Sequence, residues 1–256
     1  MGKEIWIWIK ERAGAVLRWI SRWGKRGWLA LSTFIRGLST TAWKRIAISA
    51  PLVFFLYIFI GVLFVHRIDV TPANTGDKPA GGAEVIEVVA ALVEREAVQN
   101  RWTPNDPLIM PGWWIDNTPN FQRGIIHALS RVSLEFRDQL GRTRGSSASD
   151  SDLETAAGNL AKEPDRWVIN FETSLLPTTA SEVYYKEAVK QLREYNARLA
   201  AGVAVFERRN DNLLATLDRI ALDLGDASAT ADALLAKSAG GFLPDTEVDD
   251  VFYNTK

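Results

Sequence analysis

The chain has 256 residues, with 30 Lys plus Arg against 31 Asp plus Glu, two histidines and no cysteine. That inventory excludes a disulfide framework, a Cys-based zinc site and a thiol nucleophile, and it argues against a His-rich metal centre. The net charge of −1 hides a segregation: residues 1–45 carry ten basic and two acidic side chains, residues 46–65 none, and residues 66–256 twenty basic and twenty-nine acidic. Such an asymmetry suggests different surroundings for the two ends of the chain.

Residues 1–45 form a basic arm that holds six of the ten tryptophans. Ile9, Ala13, Val16, Ile20 and Trp23 recur at alternating spacings of four and three, which places them on one helical face, while Lys10, Arg18, Arg22 and Lys25 project from the other. An amphipathic helix of this kind fits the interface of an anionic, cytoplasmic membrane leaflet. The competing readings are a small hairpin core and packing on a partner's membrane helix. Nucleic acid is not expected as a partner, because lipid is the nearer polyanion.

Ile46 to Val65 is a run of twenty residues without one ionisable group. At about 1.5 Å per residue it spans ~30 Å as a helix, the thickness of a bilayer's hydrocarbon core. Pro51 and Gly61 are tolerated in such helices. Trp43, Lys44 and Arg45 before the run, and His66 and Arg67 after it, suit the two headgroup regions. The run is expected to be an uncleaved anchor, since a 45-residue basic arm is too long for a signal peptide's n-region and Phe64-Val65-His66-Arg67 offers no cleavage site. The basic excess on the arm predicts a cytoplasmic N-terminus and an exported C-terminal region, periplasmic in a Gram-negative cell.

Residues 66–82 read as a linker, rich in Pro and Gly. From Ala83 the pattern turns helical, with Val85, Val88, Val89, Leu92 and Val93 at helical spacing and Glu84, Glu87, Glu94 and Glu96 placed to face water. Thr103 to Pro119 contains four prolines and is expected to be a loop. Thr118 is the expected cap of a helix with Phe121, Ile125, Leu129, Val132, Phe136 and Leu140 on its core face and Gly141 as its stop. Ser151 is the expected cap of a short helix, with Glu154 at the capping-box position.

The longest pattern runs from Tyr185 to Leu224 in unbroken 4-3 alternation, predicting one helix of about forty residues, ~60 Å, from Ser181 to a stop at Gly225. Asn196 and Asn210 fall at a positions, as in parallel dimeric coiled coils. Small and apolar flanking residues such as Ala188, Ala200, Gly202 and Leu214 widen the stripe instead, and favour an intrachain bundle over a dimer. The oligomeric state stays open. A last short helix is expected near residues 228–238. The chain closes on residues 248–256, which look like the start of a further helix, so residues 83–256 are expected to be a helical domain truncated at its C-terminus.

These features predict an all-α protein: a single transmembrane helix followed by an extramembrane helical bundle with one long heptad-patterned helix. No P-loop, GxGxxG, GxSxG or HExxH pattern occurs, and no cofactor, metal or catalytic group is expected. The acidic residues Asp245, Glu247, Asp249 and Asp250 lack the spacing of an EF-hand. The candidate site is Trp113-Trp114-Ile115-Asp116-Asn117, where aromatic faces stand beside Asp116 and Asn117. Such a group suits a peptidoglycan sugar or an envelope partner protein. The alternative is a loop whose Trp113 and Trp114 plug the end of the bundle.

The Trp-rich basic arm, the single span, the stretch PLIMPGWWIDNTPNFQRGI (residues 107–125), Asn170-Phe171-Glu172 and the closing Asp249-Asp250-Val251-Phe252-Tyr253 together resemble a family of proteobacterial inner-membrane proteins, domain of unknown function 2333. The resemblance covers most of the chain from Ile46 onward. It implies an inner-membrane location and a domain that runs past residue 256, and it brings no catalytic residues. The function expected is that of a membrane-anchored scaffold or interaction module. A ligand-sensing or peptidoglycan-binding bundle is the alternative, and a peptidoglycan-acting enzyme the less favoured one.

Overall fold

The computed structural model describes residues 28–29, 32–33, 37, 39–76, 78–140, 149–169, 176–206 and 210–238. The chain divides into two compact units, residues 1–56 and 57–256. Six α-helices occur among the described residues: α1 (Thr40–Val65), α2 (Glu84–Glu94), α3 (Asn117–Glu135), α4 (Ser151–Leu160), α5 (Ser181–Ala200) and α6 (Asn210–Ser238). The expected all-α architecture, with one helix apolar enough to span a membrane, is the one observed. The amphipathic arm from Ile9 to Trp23, with Val16, Arg18, Ile20 and Arg22, lies outside the described residues, as do Asn170-Phe171-Glu172, Gly141 and the C-terminal residues 239–256.

Helix α1 has 26 residues and begins six residues before the uncharged run, so Trp43, Lys44 and Arg45 lie within its opening turns. It is long and apolar enough to cross a membrane. Leu52, Val53, Phe55, Phe59, Leu63 and Phe64 are all exposed along it. Nothing in a soluble core would leave that many large apolar side chains uncovered on one helix.

The helical domain is built on α2, α4 and α5, with α3 packed against α4. Its core joins Ile86, Val89, Ala90 and Val93 of α2 to Ile126 and Leu129 of α3, Leu153, Ala156 and Leu160 of α4, and Tyr185, Leu192 and Tyr195 of α5. Helices α2 and α3 each run on into a π-helical turn, Arg95–Gln99 and Phe136–Leu140. The turns carry Ala97 and Phe136 onto the core side.

Several expectations need correction. Glu87 and Glu96 do not face water: they are 1% and 0% exposed. The Arg193 guanidinium of α5 reaches across to Glu87 at 3.0 Å and to Glu94 at 2.8 Å, and Arg95 pairs with Glu96 at 2.8 Å. With those partners, α2 turns Ile86, Val89, Ala90 and Val93 inward and leaves Val85 exposed, with Val88 and Leu92 only partly covered. The cap of α3 is Asp116, whose carboxylate accepts from the Asn117 amide at 2.8 Å, and Thr118 is buried inside the first turn. Likewise the cap of α4 is Asp150, which accepts from the Asp152 amide at 3.0 Å, rather than Ser151.

The forty-residue helix is two helices. Ser181 starts α5 as expected, but α5 ends at Ala200, and Gly202 then takes φ +72°. The Gly202 amide donates to the Leu199 carbonyl at 3.0 Å and the Val203 amide to the Arg198 carbonyl at 2.9 Å. That pair of bonds is a Schellman closure, which a left-handed glycine terminates without a Cβ penalty. The Tyr195 hydroxyl then fixes the connection by donating to the Val205 carbonyl at 2.7 Å. Gly225 does not stop α6, and the separate helix expected near residues 228–238 is its continuation. Leu217, Ile220 and Leu224, the heptad positions beyond the break, are exposed on α6, which an ion pair between Arg131 and Asp223 ties to α3.

Candidate functional site

The loop between α2 and α3 carries the predicted site, and its shape is set by side chains rather than by regular structure. Gln122, fully buried in α3, is its main tether. The Gln122 side-chain oxygen accepts from the Thr103 amide at 3.0 Å and the Thr103 hydroxyl at 2.8 Å. Its Nε2 donates to the Glu96 and Arg101 carbonyls at 3.1 and 3.0 Å. All the bonding capacity of one buried amide therefore goes into holding the start of the loop, which meets the requirement that buried polar groups be paired. Arg101 sits at φ 58°, the left-handed region, and turns the chain out of α2's extension.

Asp106 folds the loop back on itself. Its carboxylate accepts from the Gly112 amide at 3.1 Å and from the Arg101 guanidinium at 2.8 and 2.9 Å. Burial pushes the Asp106 carboxyl above its ordinary value, and Arg101 and the Gly112 amide pull against that rise. A β-carbon on Gly112 would overlap the Asp106 carboxylate and stand 3.0 Å from the Thr103 β-carbon, so no larger residue fits.

The stretch Pro111–Trp114 closes as a single 3₁₀ turn, begun by Pro111. Trp113 and Trp114 meet edge to face, with ring centroids 5.3 Å apart and planes at 74°. The Trp114 indole N–H donates back to the Leu108 carbonyl at 2.9 Å. The rings nonetheless point outward: Trp113 is 54% exposed and Trp114 45%. They do not plug the end of the bundle. That part is taken by Trp102, which is buried edge to face on Tyr185 at 4.9 Å and donates to the Pro164 carbonyl at 2.9 Å. Asp116 and Asn117 are spent in part on the α3 cap beside the two rings.

Of the membrane-boundary residues, Trp43, Lys44 and Arg45 are exposed on α1, and His66 and Arg67 are exposed immediately after it. His66 Nδ1 lies 3.5 Å from the Thr118 hydroxyl at the start of α3. Pro111 is buried, and a β-carbon on Gly61 of α1 would overlap its ring. The Trp loop thus rests on the last turns of the apolar helix. Gly61, Asp106 and Gln122, which make this arrangement, carried no sequence signal beyond a glycine inside an apolar run.

A cleft of about 620 Å³ opens beside the loop, lined by Arg101, Trp102, Asn105, Asp106, Trp167 and Glu182. Asn105 spans it, donating to the Arg166 carbonyl at 2.9 Å and to Glu182 at 2.7 Å. Among the described residues no group of three or more His, Asp or Glu is placed to hold a metal ion.

The family model described as "Uncharacterized protein conserved in bacteria (DUF2333)" matches residues 69–243. No curated protein and no solved structure matches the chain at a significant level.

Proposed function

The chain belongs to DUF2333, a family of uncharacterized proteins conserved in bacteria, and from that premise we propose a single-pass inner-membrane protein whose helical domain serves in the periplasm as a non-catalytic scaffold or interaction module. The observation that carries this reading is α1, an exposed apolar helix of 26 residues that precedes a folded, buried helical core. Ten Lys or Arg lie before its uncharged run, which under the positive-inside rule keeps that side in the cytoplasm. The basic arm would then rest on the anionic lipid of the cytoplasmic leaflet.

A scaffold fits the way the domain spends its polar groups. Arg193, Arg198 and Gln122 are engaged in fixing one helix or loop to another. The partner would be another envelope protein or a peptidoglycan strand. Alkaline phosphatase fused after residue 256 is expected to be active, and green fluorescent protein fused there to be dark. A dark phosphatase with a bright fluorescent fusion contradicts the orientation.

A further inference from the structure

We propose that the loop from Leu108 to Trp114 is a second membrane contact, inserted into the interface of the leaflet where α1 emerges, and that it holds the helical domain against the bilayer. The proposal rests on α1 spanning the membrane.

Three observations carry it. The first is depth. Pro111 packs on Gly61, which lies four residues before the end of α1 at Val65. At about 1.5 Å per residue that is ~6 Å back from the end of the helix, inside the apolar run. Whatever touches Gly61 sits at the level where headgroups give way to acyl chains, the depth typical of interfacial segments.

The second is chemistry. Leu108 and Ile109 are 53% and 60% exposed and Trp113 and Trp114 54% and 45%, so the segment from Leu108 to Trp114 carries four exposed apolar side chains and no ionisable one of its own. Of the charged groups beside the segment, Asp106 is turned inward against Arg101 and is 5% exposed, while the Arg101 guanidinium, 44% exposed, lies 3.1 Å from the Met110 Sδ. Trp114 has its N–H bonded to Leu108, so it presents ring surface with its donor already satisfied. Tryptophan on an apolar patch at this level is the composition of an aromatic belt. An exposed patch of this kind on a folded domain calls for a covering partner.

The third is rigidity. Gln122 and Asp106 lock the loop from below, and Gly112 allows its close return. A preformed loop loses little conformational freedom on inserting. A lipid occupant is favoured over a protein or a glycan because the loop packs through Pro111 on Gly61 of α1, the helix that lipid covers in the proposed span.

The chain has no cysteine, so single labels can be placed cleanly. Nitroxides would be attached to full-length protein in liposomes through Ile109→Cys, Trp113→Cys, Leu63→Cys in the span and Glu154→Cys on the outer face of α4. Accessibility to oxygen and to a water-soluble nickel chelate would then be read. Labels at 109 and 113 are expected to show an oxygen-to-nickel ratio raised above that at 154 and towards that at 63. A ratio at 109 and 113 equal to that at 154 overturns the loop proposal while leaving the span intact. Shielding from both reagents would mean a protein contact and also overturns it. Nickel access at 63 would overturn the span and the loop together. Ile109→Cys keeps the test valid even if Trp113→Cys loosens the turn.

Discussion

The side-chain oxygen of Asn196, in α5, accepts the main-chain N–H of Ala83, the residue that precedes α2, at 2.7 Å. Both residues are buried, and Gly82 makes room for the approach, since a β-carbon there would stand 2.7 Å from the same oxygen. One heptad asparagine is thus used inside the chain, on a neighbouring helix's backbone. It satisfies a helix N-terminus that has no side-chain cap of its own.

Replacing Asn196 by Val is therefore expected to strand the Ala83 amide and to destabilise the fold by about 1–3 kcal/mol. The Asn196 Nδ2 is buried without a hydrogen-bond partner, which moves the expectation toward the lower end of that range. Thermal unfolding of the full chain in detergent reads it. A rise in stability would instead mark Asn196 as a register device between chains.

The two glycines Gly202 and Gly158 should respond in opposite directions to alanine. Gly202 holds φ +72° at the end of α5, so Gly202→Ala is expected to cost about 1 kcal/mol. Gly158 lies within α4 with open space around it, so Gly158→Ala is expected to stabilise by roughly 0.5–1 kcal/mol. Equal effects of the same sign on the unfolding midpoint would contradict the left-handed end of α5.

Legibility followed the range of the forces involved. The apolar run of α1 and the charge segregation around it are local, and so could be read directly. The heptad through Leu199, Val203 and Phe206 kept its spacing across the break, because apolar periodicity records which face is buried and not whether the backbone is continuous. Gly202 was visible as a residue, but a lone glycine within an unbroken apolar stripe does not announce the left-handed φ that ends α5. Glu87 misled for the opposite reason: a charge reads as solvated until its partner is known, and Arg193 stands far away in sequence. Glu96 has its partner next door in Arg95, but the π-helical turn that carries it inward breaks the helical spacing. Trp113 and Trp114 were legible as a feature but not as an exposed one, since the burial of Trp102 decided which tryptophan fills the core.

Glu96 supplies a pH dependence. Burial raises its carboxyl above the ordinary value of 4.5, against the pull of Arg95, Asn100 and Gln122. The folded state therefore holds the proton more tightly than the unfolded one. The contribution is fully present below 4.5 and is lost as pH rises through the raised value. Asp106, raised by burial in the same direction, adds to it. Unfolding midpoints measured across the acidic to neutral range should show the Glu96→Gln variant falling less steeply than the parent. An unchanged slope would contradict the account of Glu96.

The side of the membrane on which the helical domain stands is tested most directly by thiol labelling in intact cells. Two single-cysteine variants suffice, Gly37→Cys before α1 and Glu154→Cys on α4, both at exposed positions. A small, membrane-impermeant maleimide is expected to label position 154 without lysis and position 37 only after the inner membrane is opened. Labelling of 37 in intact cells with protection of 154, or of both positions alike, would contradict a span that separates the basic arm from the helical domain.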